Sequence, residues 1–190
     1  MDTRFAILFV SMFLLCASFL GSADAGPIAE VEAAPYGLIR PESAVLLLGD
    51  GSKESLPTVG FDGTGLSSFS PLRGVHSTEV SGMVSVPVSD VDPVTIRYDL
   101  GNEFSVNELW LWQYNAEGET DRGMKDFDIV FRNTNGNVVS EIAAATVGIA
   151  NAGNLPASYF CPVAEDVRYV ELVIRENYGD TEFVGLSEIA

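Results

Sequence analysis

Few residues of this chain have the types and spacing that catalysis requires. Asp126 and Asp128 are two positions apart on a predicted strand, which places both carboxylates on one face of it. A glycosidase needs such a pair across a cleft with the pKa of one acid raised, and with 27 acidic residues close pairs arise by chance. The one histidine, His76, has no recognisable catalytic context, and neither G-x-S-x-G, H-E-x-x-H nor a P-loop occurs. We therefore predict that the chain is not an enzyme.

The charge balance argues against two classes of partner. Ten Lys and Arg residues stand against 27 Asp and Glu residues, which gives a formal net charge of −17. Nucleic-acid binding needs a surplus of basic residues on one face, and electrostatic docking on anionic lipid needs positive charge as well. We predict no nucleic-acid partner and no such membrane binding. The hydrophobic fraction of 47% is sufficient for a folded core.

The N-terminus has the pattern of a secretory signal peptide. Arg4 precedes an apolar run over residues 5–20, and small residues follow the run up to Ala25. We predict a signal peptide over residues 1–25, cleaved after Ala25, and a leader over residues 26–40. The alternative is an uncleaved anchor, for which the apolar run is rather short. The mature protein would be secreted, to the extracellular space or the cell surface, without membrane insertion.

Cleavage would also change the cysteine content. It would remove Cys16 and leave Cys161 as the only cysteine, so the mature chain could form no internal disulfide. Cys161 lies between Phe160 and Pro162, and we expect it to be a small buried hydrophobe. An exported domain without a disulfide must be stabilised by its core, or by its core and a bound metal.

Residues 41–190 have the pattern of a single all-β domain. Gly, Pro, Asn and Asp interrupt the chain about every ten residues, and no long stretch has the helical period of 3.6. Alternating residues predict strands over 95–100, 108–114, 126–132 and 167–176, and at 141–150 we favour a strand over a short helix. The segment 108–114 is bulky on both faces, which is typical of a strand covered on both sides. Short strands joined by turns predict an antiparallel sandwich or barrel.

Several segments resemble discoidin domains, also called coagulation factor 5/8 type C domains, which belong to the galactose-binding-like group. The resemblance rests on TIRYDLG (95–101), LWLWQYN (109–115), RGMKDFDI (122–129), RYVEL (168–172), NYGD (177–180) and GLSEI (185–189). The upstream run DGTGLS (62–67), with His76 and Ser77 after it, is similar to a variant found in exported bacterial surface proteins of the PEP-CTERM-like type. These segments occur in the family's order over about residues 55–190.

The resemblance implies a jelly-roll β-sandwich that binds a ligand through loops at one end and has no catalytic activity. The ligand of such domains is usually a glycan and sometimes a lipid or protein surface. Many members also hold a structural Ca²⁺ with an early Asp-Gly loop and a glutamate of the last strand, which match Asp62, Thr64 and Glu188 here. Such oxygen ligands suit calcium. The alternative for these residues is an ordinary turn and a surface glutamate.

Sugar binding requires planar polar groups for the hydroxyls and an aromatic ring for the apolar face of the sugar. Loop residues of suitable type are His76, Asn115, Arg122, Asn177 and Tyr178. Structural alternatives exist for them: Arg122 could pair with Asp121 or Asp126, and Asn177 could serve a turn. The tryptophans at 110 and 112 are expected to be core residues.

The leading hypothesis is a secreted, non-catalytic module that binds carbohydrate through loops at one end of the sandwich, with a structural Ca²⁺. The alternative is an adhesion or matrix module that recognises a protein or cell-surface partner. In that case the acidic surface would set specificity through charge complementarity.

Overall fold

The structure is a computed structural model that describes residues 39–48, 50–67, 74–88, 93–151, 153 and 155–190. The predicted signal peptide (1–25) and all but the last two residues of the predicted leader (26–40) lie outside the described residues. In the part of the chain that is described, no helix is long and apolar enough to cross a membrane.

Strands dominate the described residues, which contain three one-turn 3-10 helices and no α-helix. The 3-10 helices are Thr58–Gly60, Val80–Gly82 and Thr120–Arg122. The strands are β1 (Ser43–Leu47), β2 (Lys53–Ser55), β3 (Val75–His76), β4 (Val84–Pro87), β5 (Val94–Val106), β6 (Leu109–Gln113), β7 (Met124–Arg132), β8 (Val138–Thr146), β9 (Leu155–Pro156), β10 (Ser158–Phe160), β11 (Ala164–Asn177) and β12 (Phe183–Ile189). The predicted strands are confirmed as β5, β6, β7 and β11, and the strand favoured at 141–150 is β8, which ends at Thr146.

Two antiparallel sheets pack around one core. The larger sheet has the order β2-β1-β5-β11-β7-β8 and the smaller sheet the order β10-β6-β12-β4. Strands β3 and β9 form a separate pair. The main hydrophobic cluster contains residues of both sheets. The prediction of an all-β antiparallel sandwich is therefore confirmed.

The core between the sheets follows from alternation along the long strands. In β5, Ile96, Tyr98 and Leu100 are buried, and the residues between them are partly exposed. Full burial of one large apolar side chain contributes about 1.5–3 kcal/mol. The prediction that Cys161 is buried is wrong, because it lies in the connection after β10, where the neighbouring Pro162 takes the buried position and the thiol is exposed.

Strand β6 is covered on both faces, as predicted, and its five residues are all buried. Its leucines belong to the core between the sheets, whereas Trp110 and Trp112 form a separate cluster with Ala190 on the other face. Trp112 Nε1 donates to the carbonyl of Gly74 (3.2 Å). Residues 62–67 and 74–83, called the covering layer below, therefore supply contacts on the outer face of the smaller sheet, and the tryptophans are core residues.

A bulge interrupts the pairing of β7 with β8. The register passes from Phe127–Ala145 to Ile129–Ile142, so two residues of β8 lie opposite Asp128. Ala144, one of these two, has a φ of +53°, and its N–H donates to Asp128 Oδ1 (2.9 Å). The left-handed conformation costs an L-residue roughly 1–2 kcal/mol, so the carboxylate holds Ala144 in a conformation that glycine adopts more readily.

We expect Ala144→Gly to raise the free energy of unfolding by about 0.5–1 kcal/mol, because glycine removes the left-handed strain and Ala144 is exposed. Urea unfolding measures the change. Ala143→Gly is the matched control, since the neighbouring exposed residue does not have positive φ, and it should lower stability. Equal effects of the two substitutions would contradict the assignment of strain to Ala144.

Candidate functional site

Three loops meet at one end of the sandwich, where β6, β8 and β11 end. Tyr178 N donates to Asp121 O (3.0 Å). Tyr178 Oη donates to Val147 O (2.6 Å). These contacts join residues 116–123, 147–151 and 177–182, which we call the loop end. Three of the five predicted ligand-binding residues, Arg122, Asn177 and Tyr178, lie in the loop end.

Arg122 is held between two carboxylates. Its Nη1 donates to Glu119 Oε2 (2.6 Å), and its Nε donates to Asp180 Oδ2 (3.0 Å). Its guanidinium carbon lies 4.9 Å from the centroid of the Phe183 ring. The sequence leaves open that Arg122 forms a structural ion pair with Asp121 or Asp126. Arg122 does form ion pairs, but its partners are Glu119 and Asp180. Glu119 belongs to the same loop, whereas Asp180 approaches from the distant 177–182 turn, which local spacing could not indicate.

Asn177 organises the turn that carries Asp180. Its Nδ2 donates to the carbonyls of Asp180 (2.6 Å) and Phe183 (2.9 Å). Its Oδ1 accepts from Gly179 N (2.9 Å). Asp180 Oδ1 accepts from the N–H groups of Glu182 and Phe183, and these bonds, together with Arg122, hold the pKa of Asp180 below its ordinary value despite its desolvation.

A cavity of about 470 Å³ opens beside this turn. Asn177 and Asp180 lie on its polar side, together with Arg175 and Glu176. The rest of its lining is apolar and β-branched: Val88, Val94, Ile174 and Val184. A concave apolar surface with a few polar groups on one side is typical of small-ligand sites. Asp180 is the residue of this site that sequence reasoning missed, although it ends the quoted NYGD run.

His76 and Asn115 are fully buried (0% exposed) and lie away from that cavity. Asn115 Nδ2 donates to His76 O (3.1 Å) and Gly153 O (2.7 Å). A Cβ added to Gly65 would lie 2.7 Å from the His76 ring, so the covering layer closes over the imidazole. Direct ligand contact by either side chain would need another arrangement of these loops, and their predicted ligand-binding role stays a prediction.

The histidine ring connects two loops of the covering layer. Its Nε2 lies 3.1 Å from Thr64 O, and its Nδ1 lies 2.8 Å from Ser77 O. Carbonyl oxygens only accept hydrogen bonds, so a neutral imidazole can donate to one of them and an imidazolium to both. When Nε2 carries a proton, His76 donates to the loop that contains Thr64.

The predicted metal residues also come together. Glu188 of β12 is fully buried (0% exposed), and its Oε1 accepts from Gly63 N (3.0 Å). Asp62 accepts from Thr64 N at Oδ1 (2.8 Å) and from Thr58 Oγ1 at Oδ2 (2.9 Å). Asp62 and Glu188, 126 positions apart in the sequence, therefore come together where the loop contacts β12. We call residues 58–65 with Glu188 the ion loop.

Asp62 and Glu188 have pKa values shifted in opposite directions. Burial raises the pKa of Glu188 to about 9, and the nearby charge of Asp62 acts in the same direction. Burial also acts to raise the pKa of Asp62, but hydrogen bonds from Thr64 and Thr58 outweigh it and hold that pKa below its ordinary value. One buried acid thus retains its proton at neutral pH beside another that is ionised.

The ion loop offers oxygen ligands for a cation. Glu188 Oε2 is buried and has no hydrogen-bond partner in the protein. Among the described residues no group of three or more His, Cys, Asp and Glu could hold a metal. A cation would therefore use the two carboxylates and backbone or hydroxyl oxygens, a donor set that fits calcium and not a transition metal.

The chain matches no family model and no curated protein. It is similar to solved structures of several modules. One is a mutant lectin-binding domain of lectinolysin complexed with Lewis b, with 17% identity, TM-score 0.53, and coverage of 80% of this chain and 92% of that one. Another is a Streptococcus pneumoniae fucose-binding module, with 15% identity, TM-score 0.53, and coverage of 80% and 91%.

A third is truncated AlyQ, with CBM32 and alginate lyase domains, at 17% identity and TM-score 0.52, where the match covers 80% of this chain and 31% of the longer one. Similarity at these identities shows the fold alone. The chain has the galactose-binding-like β-sandwich fold, and the resemblance to discoidin domains is confirmed at that level.

We expect Glu188→Gln to change the pH dependence of stability in metal-free protein. The folded state keeps the Glu188 proton up to about pH 9, whereas the unfolded chain releases it near pH ~4.3. Between these values unfolding releases a proton, so the free energy of unfolding falls as pH rises. Glutamine has no proton to release, so the variant should not show this fall. The free energy of unfolding of the variant minus that of wild type should therefore increase by about 1 kcal/mol per pH unit between about pH 5 and 8.

Urea unfolding in EGTA at several pH values measures the difference. Asp121→Asn is the control, because Asp121 is an exposed acid on the loop end, and its curve should run parallel to that of wild type. A parallel curve for Glu188→Gln would contradict the raised pKa of Glu188.

Proposed function

We propose that the chain is an exported, non-catalytic module that binds carbohydrate at the loop end. The observation that carries this proposal is the convergence of Arg122, Asn177 and Tyr178 beside a cavity of about 470 Å³ at one end of a galactose-binding-like sandwich. The names of two structural neighbours state binding of Lewis b and of fucose. Export is supported by the signal-peptide pattern of residues 1–25.

The chemistry of the cavity suits a sugar. Of its β-branched lining, Val94, Ile174 and Val184 are buried (4%, 3% and 1% exposed), so a sugar would contact mainly the polar side of the cavity. Both hydrogens of Asn177 Nδ2 are used within the turn, so Asn177 Oδ1 and Asp180 Oδ2 would act as acceptors for adjacent hydroxyl groups. Asn177 and Asp180 are tied to each other and to Arg122 by the bonds described above, so binding costs little ordering of side chains.

Binding should depend on the 177–182 turn. We expect Asn177→Ala to weaken glycan affinity at least about tenfold, because it removes polar groups of the site and releases the turn. A glycan array that includes fucose and Lewis b identifies the ligand, and calorimetry then measures the affinity.

Asn133→Ala is the matched control. Asn133 also accepts backbone N–H bonds of its own turn (Asn135 N, 3.1 Å; Asn137 N, 3.0 Å), but that turn follows β7 at the other end of the sandwich. It should leave glycan affinity unchanged. Equal losses in both variants would contradict a site at the loop end. The absence of binding to every glycan would remove the carbohydrate proposal and favour a protein or cell-surface partner.

We further propose that the ion loop binds a structural Ca²⁺ through Asp62, Thr64 and Glu188. The support is the meeting of two carboxylates, one with a buried oxygen that has no partner. A calcium ion would supply the positive charge that lets Glu188 ionise in a buried position. It would join the loop after the first 3-10 helix to the last strand, in a domain whose described part contains a single free cysteine.

We expect EGTA to lower the melting temperature and added calcium to restore it. At about 100 times the Kd a ligand stabilises by about 2.7 kcal/mol, which corresponds to a shift of roughly 5–10 °C in a domain of this size. Asp62→Asn should abolish the response, whereas Asp121→Asn should retain it. Scanning calorimetry with calcium and with magnesium tests this, and identical melts with EGTA and with calcium would remove the proposal.

A further inference from the structure

Two buried side-chain oxygens in the described part of the chain have no hydrogen-bond partner: Tyr98 Oη and Glu188 Oε2. Tyr98 lies on β5 of the larger sheet and is 1% exposed, and Glu188 lies on β12 of the smaller sheet. Buried polar groups are nearly always hydrogen-bonded, so two unpartnered oxygens in one domain need a physical explanation. We call these two oxygens the orphan atoms and their side chains the orphan groups.

The orphan groups, Tyr98 and Glu188, each contact one residue of the same short segment of the ion loop, Phe61 and Gly63 respectively. The Phe61 ring meets the Tyr98 ring edge-on, with centroids 5.9 Å apart and planes at 82°. Two residues later Gly63 N donates to Glu188 Oε1. Tyr98 and Glu188 lie on strands of opposite sheets, and burial and the charge of Glu188 both raise the pKa of Tyr98.

The two groups are chemically complementary. A phenol has one proton to donate, and an ionised carboxylate accepts only, with about four lone-pair directions. Gly63 N takes one of these directions. The two orphan atoms are not bonded to each other directly, and one buried water between them would satisfy both and leave the other directions for a cation.

We propose that Tyr98 is a positioning residue of the ion loop, whose hydroxyl bonds to the Glu188 carboxylate through one buried water and orients it toward the bound calcium. This inference rests on the calcium site proposed above and adds a residue from the opposite sheet to it. Groups that hydrogen-bond to metal ligands fix the orientation of those ligands, and their removal typically weakens metal affinity by 10–100-fold.

Tyr98→Phe tests the inference with calcium alone as the probe. We expect the Kd for calcium, measured by calorimetry on protein stripped with EGTA, to rise at least about tenfold. The metal-free melting temperature should stay equal or increase, because phenylalanine keeps the ring against Phe61 and removes a buried hydroxyl without a partner. A purely structural tyrosine would leave the Kd within twofold of wild type, and that result would overturn the inference.

Tyr114→Phe is the matched control. Tyr114 is also fully buried, but its Oη donates to Glu119 (3.1 Å) at the loop end. It should leave calcium affinity unchanged, and an equal loss in this variant would overturn the inference by showing a general effect of core hydroxyls.

If Tyr98→Phe does not fold, a measurement on the wild type can test the inference instead. With tyrosine labelled at ¹³Cζ, one of the six tyrosine signals should shift at the calcium concentration that saturates the site. The absence of any shift at saturation would overturn the role of Tyr98 alone. Failure of wild-type protein to bind calcium would overturn the ion-loop proposal as well.

Discussion

The arrangement of the domain depends on the burial of one carboxylate, that of Glu188. A buried acid with a single donor is expensive unless it is protonated or paired with a cation. Its bond to Gly63 N brings the loop after the first 3-10 helix onto the last strand. The same loop places Phe61 against Tyr98 in the core and packs Gly60 against Val84, where a Cβ would lie 2.6 Å from the valine side chain. The first and last parts of the sandwich are thus fixed to each other without a covalent link.

From this point buried polar contacts continue toward the loop end. Ser187 Oγ lies 2.9 Å from Asn115 Oδ1, Asn115 Nδ2 donates to His76 O, and His76 Nε2 lies 3.1 Å from Thr64 O. Thr64 belongs to the ion loop, and Asn115 directly precedes the first loop of the loop end. Hydrogen bonds in such a buried network are costly to break, because water cannot replace a lost partner. His76 and Asn115 therefore act in this structure as supports that connect the two regions.

The sequence predicts local features of this fold well and contacts between distant segments poorly. The alternation in β5 and the two bulky faces of β6 are local patterns, and both strands are confirmed. The covering layer has no such pattern, so the complete burial of His76 and Asn115 could not be predicted from residue type. Asp180 was missed for the same reason, since its contact with Arg122 spans 58 positions and depends on the turn built by Asn177. Asp62 and Glu188 could be associated only through the resemblance to a known family.

The arginines of the larger sheet are held by ion pairs and ring contacts on the face of the sheet away from the core. Arg97 and Arg132 both pair with Glu171 (2.5 and 2.8 Å), whose side chain is only 3% exposed. The guanidiniums of Arg97 and Arg168 lie 5.3 and 5.7 Å from the centroid of the Tyr169 ring, so cations occupy the aromatic surface on which a sugar could stack. These side chains join β5, β11 and β7, where Arg97 and Arg132 share the single carboxylate of Glu171. Because these arginines are already in ion pairs, they do not offset the excess of acidic residues elsewhere on the chain. The loop end, by contrast, combines a cavity with a turn whose polar side chains are already held by hydrogen bonds, which is the preorganisation that a ligand site needs.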